Sequence, residues 1–303
     1  MSDPVLIRPA VPEDIPGLGT LFQTAFHAAA PPAFWQWKYY SPAVRALSVV
    51  AEKDGLIVGH YGGVLLPYRL GKRDYLALQA TDLMTHPSVR NRMGKGAVLL
   101  NCAELFFDLA RKAGADFAFG FPGRSSRILG ERYLDYRPLQ ALEMEALPVE
   151  PGAFLLPVEP LTVPPGRADE LLGRWAKRQR SGVMRSAAYW RWRYAGHPAI
   201  LYHYAMHRTA LLTFRLEEEA WLLDWVCEKP QDLEEALRGA LASLAGLGYL
   251  SLLAWRVNGA PLPVECATHK PAGYYLEYKP LNSDVQKELA AGGWFTPGDY
   301  DAA

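Results

Sequence analysis

Three features predict an α+β (α/β) fold of mixed sheets with helices on both faces. Strand-like and helix-like segments alternate, apolar runs are joined by tight-turn signals, and a glycine-rich basic turn separates a strand from a helix. Val5 to Arg8 reads as a short strand. Pro12-Glu13-Asp14 then opens a helix to about His27, with acidic residues at its positive end. Ala46 to Glu52 and Leu56 to Leu66 are strands joined at Asp54-Gly55, a hairpin signal because both positions tolerate positive φ. A second turn, Gly71-Lys72-Arg73-Asp74, leads into a strand from Tyr75 to Thr85. After the glycine-rich turn, Val98, Cys102, Leu105, Phe106 and Leu109 recur at helical spacing, and Lys112-Ala113-Gly114 supplies a stop. A buried strand, Asp116 to Phe121, and a helix after Pro122-Gly123 complete the first half.

Six prolines between Leu147 and Arg167 mark a linker with no helical period. Beyond it the pattern gives a helix from about Ala168 to Arg180 and strands at Leu201 to His207, Ala210 to Leu216 and Ala220 to Cys227. A helix from Gln231 to Leu247 and strands at Leu250 to Trp255 and Tyr274 to Lys279 follow. This order repeats that of the first half. Phe34-Trp35-Gln36-Trp37-Lys38-Tyr39 also aligns with Tyr189-Trp190-Arg191-Trp192-Arg193-Tyr194, each just ahead of three strands. The expectation is a duplicated unit, with domains at 1–147 and 168–282, a linker at 148–167 and a tail at 283–303.

At 303 residues the chain suits two domains, and with half of them hydrophobic it can bury a core in each. Lys plus Arg and Asp plus Glu are 32 each, which argues against a nucleic-acid backbone or an anionic membrane as main partner. Cys102, Cys227 and Cys266 lie far apart without a metal-ligand pattern, and His197, His203 and His207 lack acidic or cysteine partners at metal spacing. No metal is expected. The first residues lack a leader pattern and no run reaches the roughly 18 apolar residues of a membrane span, so the expected location is cytoplasmic.

The turn His86-Pro87-Ser88-Val89-Arg90-Asn91-Arg92-Met93-Gly94-Lys95-Gly96 carries the most functional information. Backbone N–H groups from about Arg92 to Gly96, at the positive end of a helix, can bind a phosphate, and Arg90 or Lys95 can add charge. The corresponding segment of the second half, Cys227-Glu228-Lys229-Pro230-Gln231-Asp232, has no glycine and is acidic, so it is not expected to hold one. Trp35 and Trp37 face nearly opposite ways in a helix, so Trp37, with Tyr39, is a candidate for an acceptor pocket. Packing in the core is the alternative.

On Asn91-Arg92-Met93-Gly94-Lys95-Gly96, on His86-Pro87 ahead of it, and on Gly120-Phe121-Pro122-Gly123 and Asp135-Tyr136-Arg137-Pro138, the first half resembles the GNAT superfamily of Gcn5-related N-acyltransferases. The family's loop usually begins with Arg or Gln; here Asn91 stands there, flanked by Arg90 and Arg92. The resemblance covers Val5 to Leu139, and the whole chain if it is a tandem pair with a degenerate second half. It implies acetyl-CoA, or another acyl-CoA, with pyrophosphate on Arg92, Met93, Gly94, Lys95 and Gly96. The backbone of Leu83, Met84 and Thr85 would lie along the pantetheine arm, and Ser126 would touch the cofactor.

The same resemblance makes Asp82 a candidate base, direct or through a water, although an aspartate there can equally hydrogen-bond a neighbouring loop. The family's acidic tyrosine falls on Gly130, which leaves Tyr133, or Tyr136, as substitutes. His86 ranks below Asp82 as base. The implied reaction is acyl transfer to a primary amine of a small molecule or peptide, by a monomer or homodimer. Alternatives are a CoA-binding sensor without chemistry, and an aminoacyl transferase of the tandem type that builds peptidoglycan cross-bridges. The intact glycine loop and neutral charge weigh against the latter.

Overall fold

The computed structural model describes residues 4–90, 97–162, 165–256, 262–266 and 268–300. The strands are β1 (Leu6–Pro9), β2 (Arg45–Lys53), β3 (Leu56–Leu70), β4 (Arg73–Thr85), β5 (Phe117–Gly120), β6 (Arg137–Pro148), β7 (Glu159–Pro160), β8 (Ser181–Val183), β9 (Tyr202–His207), β10 (Ala210–Leu216), β11 (Ala220–Cys227), β12 (Ser251–Arg256) and β13 (Thr268–Pro280). The helices are α1 (Ile15–Phe26), α2 (Pro32–Tyr39), α3 (Pro87–Arg90), α4 (Val98–Lys112), α5 (Arg124–Tyr133), α6 (Gly166–Arg178), α7 (Ala187–Trp190), α8 (Pro230–Gly246) and α9 (Gln286–Gly292).

All the strands join one sheet in the order β1-β2-β3-β4-β5-β13-β6-β12-β11-β10-β9-β7, with β8 added on β3. Among the described residues only β4–β5 and β11–β12 pair in parallel; each of these pairs is bridged by a helix, α4 or α8, as a parallel connection requires. The strands expected at 46–52, 56–66 and 75–85 are present, and Asp54 and Gly55 both have positive φ, as the two-residue hairpin demands.

Two results differ from expectation. Residues 137–148, where the sequence predicts no element, form the long strand β6, and the sheet is continuous rather than divided between halves. The C-terminal strand β13 leaves the second half and lies between β5 and β6. In return β6 leaves the first half and pairs with β12. Pro138, Glu143 and Glu145 hide the strand in the sequence, because neighbours on both edges supply its hydrogen bonds whatever its side chains.

Alternation along the strands divides the core into faces. Val50, Val64, Leu66, Tyr68, Phe117 and Phe119 point to one face, shared by both halves and covered by α1, α2, α6 and α7. Val49, Ala51, Leu65 and Ala118 point to the other, under α4, while Leu212, Phe214 and Ala254 pack under α8.

The repeated aromatic hexapeptides meet on the shared face. The Trp37 and Trp192 rings stack at 5.1 Å and 15°. Trp37 Nε1 donates to Trp192 O at 2.8 Å, and Trp192 Nε1 donates to Trp37 O at 3.1 Å. Trp37 O is one of the last carbonyls of α2, which has no intrahelical donor, so the partner indole satisfies it. Further out, Tyr39 OH donates to Asp82 Oδ2 on β4 at 2.6 Å, and Tyr194 OH donates to Asp224 Oδ2 on β11 at 2.8 Å.

Asp82 shapes the strand that borders the site. Its φ is 53°, a left-handed conformation that costs energy outside glycine, and the β3–β4 register shifts there between His60 and Gly62. The surroundings hold it. Lys38 Nζ donates to Asp82 Oδ2 at 2.8 Å, with both side chains buried. His60 Nδ1 lies 2.6 Å from Asp82 O and Nε2 lies 2.9 Å from Ser48 Oγ. A carbonyl can only accept, so Nδ1 carries the proton and Nε2 accepts from the serine. Burial lowers the His60 pKa and keeps the ring neutral, as this arrangement needs.

Trp192→Phe and Trp37→Phe should each cost about 1–3 kcal/mol in urea denaturation, because each leaves a buried carbonyl without its donor. The double variant should cost less than their sum, since the pair shares one contact. For His60 the folded pKa is below that of the unfolded chain, so the unfolded state takes up a proton first as pH falls. Stability should therefore decline below the ordinary histidine pKa of 6.5. Denaturation midpoints measured across that range should lose part of their pH dependence in His60→Gln.

Candidate active site

The site is a gap in the sheet. β4 and β5 pair only at Ala77–Phe117, Leu78–Ala118 and Gln79–Phe119, after which β4 continues alongside β3 to Thr85 while β5 ends at Gly120. Beyond Gln79 the β5-facing edge of β4 has no strand partner among the described residues. A cleft of about 270 Å³ fills the divergence. One wall is Ala80, Thr81, Asp82 and Leu83; the other is Gly120, Phe121, Pro122, Gly123 and Ser126. Leu99, in the first turn of α4, adjoins the cleft, and no described side chain caps that helix.

The cleft passes through the sheet. Tyr61, Tyr136 and Glu277 line it on the α4 side, whereas Phe121, Tyr274 and Tyr300 belong to the shared face. Tyr274 and Tyr300 also border a second cavity of about 300 Å³, walled by Trp221, Trp255 and Tyr202 with Arg215 and Glu217 at its rim. The two cavities are therefore neighbours that share Tyr274 and Tyr300.

The residues expected from sequence distribute unevenly. Asp82, Leu83 and Ser126 line the cleft. Met84 is buried in the shared core and Thr85 pairs with Gly59, its carbonyl accepting from Arg90 Nε at 2.8 Å. Arg92, Met93, Gly94, Lys95 and Gly96 lie outside the described residues. Tyr133, the last residue of α5, does not line the cleft although Gly130 and Leu134 on either side of it do; it is 44% exposed, with the Arg132 guanidinium 5.3 Å from its ring.

Trp37 and Tyr39 line neither cavity: the first is occupied by Trp192 and the second by Asp82. The second cavity is lined instead by Tyr202, Trp221, Trp255, Tyr274 and Tyr300. Among the described residues no cluster of three or more His, Cys, Asp or Glu side chains could hold a metal, and no helix is long and apolar enough to cross a membrane.

Tyr136, one of the two substitutes named for the family's acid, lines the cleft, and beside it stand two residues the sequence did not point to, Tyr61 and Glu277. The hydroxyls of Tyr61 and Tyr136 are buried side by side without a hydrogen bond of good geometry, and burial raises both pKa values. Glu277 comes from β13 with one carboxyl oxygen unpartnered. Burial, then the nearby Glu131 charge, raises its pKa to about 7. An isolated glutamate in an alternating strand gives no local signal of this, since its partner strand β5 is far away in sequence.

No known family's sequence profile matches the chain, and no curated protein matches it in sequence. Solved structures match in shape. The chain is similar to a conserved protein of Enterococcus faecalis V583 described as a probable N-acyltransferase, at 10% identity and a TM-score of 0.68 over 95% of this chain and 74% of that one. It is similar to a GCN5-related N-acetyltransferase of Kribbella flavida, at 14% identity and a TM-score of 0.65 over 93% and 72% of the chains. It is also similar to Eis1 of Mycobacterium abscessus, at 16% identity and a TM-score of 0.59 over 95% and 76%. The mixed sheet that divides between β4 and β5, with helices on both faces, is therefore the fold of the GCN5-related N-acetyltransferases.

Proposed function

We propose that the protein is an acyl-CoA-dependent N-acyltransferase that moves an acetyl group to the primary amine of a small molecule or peptide. The observation that carries this reading is the divergence of β4 from β5, which opens an unpaired strand edge onto a cleft through the sheet. The fit to acyl-CoA rests on the same feature. An extended amide chain can add to a strand edge through its own N–H and C=O groups, and here β5 no longer runs beside β4 from Ala80 to Leu83. The N-terminus of α4 beside the cleft suits a phosphate. When bound, the thioester would supply an activated acyl group.

The chain's own residues then have distinct tasks. Leu83 and Ser126 border the donor from opposite walls. Asp82, already accepting hydrogen bonds from Lys38 and Tyr39, acts as a positioning residue that holds the β4 bulge. The amine enters from the aromatic cavity of Trp221, Trp255, Tyr274 and Tyr300, where an ammonium can rest against ring faces before it loses its proton. The halves derive from one duplicated unit, a reading supported by the reciprocal tryptophans and the two tyrosine–aspartate pairs. A second reading, a sensor that binds CoA without turnover, is favoured by Gly130, which puts no side chain on the cleft wall of α5.

Calorimetry with acetyl-CoA and a thiol-release assay with a panel of amines separate the two: binding with turnover supports the transferase, and binding alone supports the sensor. Ser126 is exposed in the first turn of α5, so Ser126→Tyr should fill the cleft mouth and weaken acetyl-CoA binding at least ~10-fold, about 1.4 kcal/mol, with little change in melting temperature. Asp82→Asn should leave Lys38 buried against a neutral partner. A loss of about 3–5 kcal/mol of stability is expected, with the pH dependence of the remaining turnover unchanged.

A further inference from the structure

Acyl transfer from sulfur to nitrogen ends with a proton moved from the amine to the departing thiolate, and some group must deliver it. The cleft walls hold few candidates among the described residues. Asp82 is ion-paired with Lys38. Tyr61 and Tyr136 are buried, and burial makes their hydroxyls weaker acids than an ordinary tyrosine. Glu277 remains.

Its position follows from the register of β13. Leu276 and Tyr278 point into the shared core, so Glu277 points to the opposite face, toward α5. Glu277 pairs with Gly120, the last residue of β5, which places it where the strands part. It is 2% exposed, yet Oε1 has no hydrogen-bond partner and the residue lines the cleft. A buried polar atom without a partner is uncommon and marks a place where a ligand or water completes the bonding.

The groups that face Glu277 leave about half of it protonated at neutral pH. From α5, Arg127 Nε comes within 4.0 Å of Oε1, but the same nitrogen is held by Glu131 Oε1 at 2.6 Å, and its guanidinium lies over the Tyr275 ring at 4.2 Å. The arginine is thus already matched by a nearer carboxylate. Glu131 adds a repelling negative charge and accepts a hydrogen bond from the protonated Glu277 carboxyl, and Tyr61 and Tyr136 close the remaining side. Gly130 makes the arrangement possible. A Cβ there would stand 3.3 Å from Glu277 Oε2 and 3.5 Å from Tyr136, so a larger side chain would displace the carboxyl from the cleft wall.

We propose that Glu277 is the proton donor of this cleft and serves the acyl transfer inferred above, on which the assignment rests. Glu277 gives the proton on its free carboxyl oxygen to sulfur as the carbon–sulfur bond breaks and its electron pair passes to sulfur. It takes back the proton that nitrogen releases as the carbon–nitrogen bond forms. The carboxyl is regenerated and no further reactant is consumed.

The test begins with the free protein. Glutamate carboxyls labelled with ¹³C are titrated by NMR, with Glu277→Gln, or Glu277→Asp if the first does not fold, identifying the resonance. Acetyl-CoA is then added. One carboxyl should titrate near pH 7, vanish in the variant, and shift its midpoint upward when acetyl-CoA binds. In turnover assays Glu277→Gln should lower kcat about 10²-fold, leave KM for acetyl-CoA within about threefold, and remove the fall in rate above neutral pH, while Glu277→Asp restores part of the rate. If wild-type protein binds acetyl-CoA but the Glu277 titration does not move, or if Glu277→Gln turns over at the wild-type rate, the proton donor is elsewhere and the acyl-CoA reading stands. If the wild-type protein does not bind acetyl-CoA, both readings fall.

Discussion

The antiparallel pairing of β13 between β5 and β6 is the constraint on which the rest of the molecule depends. Backbone N–H and C=O groups at the centre of a sheet must find partners, because water cannot reach them. Without β13, β5 would be an edge strand just where it parts from β4, and β6 would lose one of its two neighbours. The strand from the far end of the chain therefore closes the wall of a cleft built mostly from the first 140 residues. It also brings Glu277 there. The exchange with β6 ties the halves together through main-chain hydrogen bonds, so neither half has a complete sheet by itself.

A second consequence is the concentration of charge at the seam. Lys38 and Asp82 on one side, and Arg185 with Asp224 and Asp299 on the other, are almost wholly buried. Buried ions are tolerated where each is paired and hydrogen-bonded, and they favour one arrangement over near alternatives more than they add stability. In the second half Arg185 joins Asp224 to Asp299 of the C-terminal segment, and burial and the Asp299 carboxylate hold the Asp224 pKa up. That segment also reaches the first half, where Gln79 Nε2 donates to Asp299 O. Residues 293–300, after α9, are thus packed into the structure, with Phe295, Thr296 and Asp299 fully buried.

Legibility in the sequence varied with the range of the forces involved. Strands β2 to β4 and helices α4 and α8 announce themselves by periodicity and turn chemistry, because burial on one face and a Gly-containing turn are local requirements. The hexapeptide pair pointed to related positions, but its contact is a symmetric stack between the two copies rather than a pocket lining. Asp82 could be singled out by its place near the end of a strand. Its positive φ and its buried lysine could not, since Lys38 is 44 positions away on a separate helix.

What the amino-acid sequence determined alone was strands β1 to β5 and β9 to β13 with helices α1, α4, α5, α6 and α8, the mixed sheet with helices on both faces, and the stretch from Tyr75 to Gly123 where a strand, a helix and a strand frame the site. Each follows from local periodicity, capping and turn preference. Tertiary structure alone decided which strands neighbour one another in the middle of the sheet. With that came the identity of the acid in the cleft and of the aromatic wall beside it. Strand pairing is made by backbone groups common to every residue, so the choice of β13 over β6 as the neighbour of β5 leaves little mark on either sequence. It is settled by how the two layers of helices and the tryptophan seam pack together.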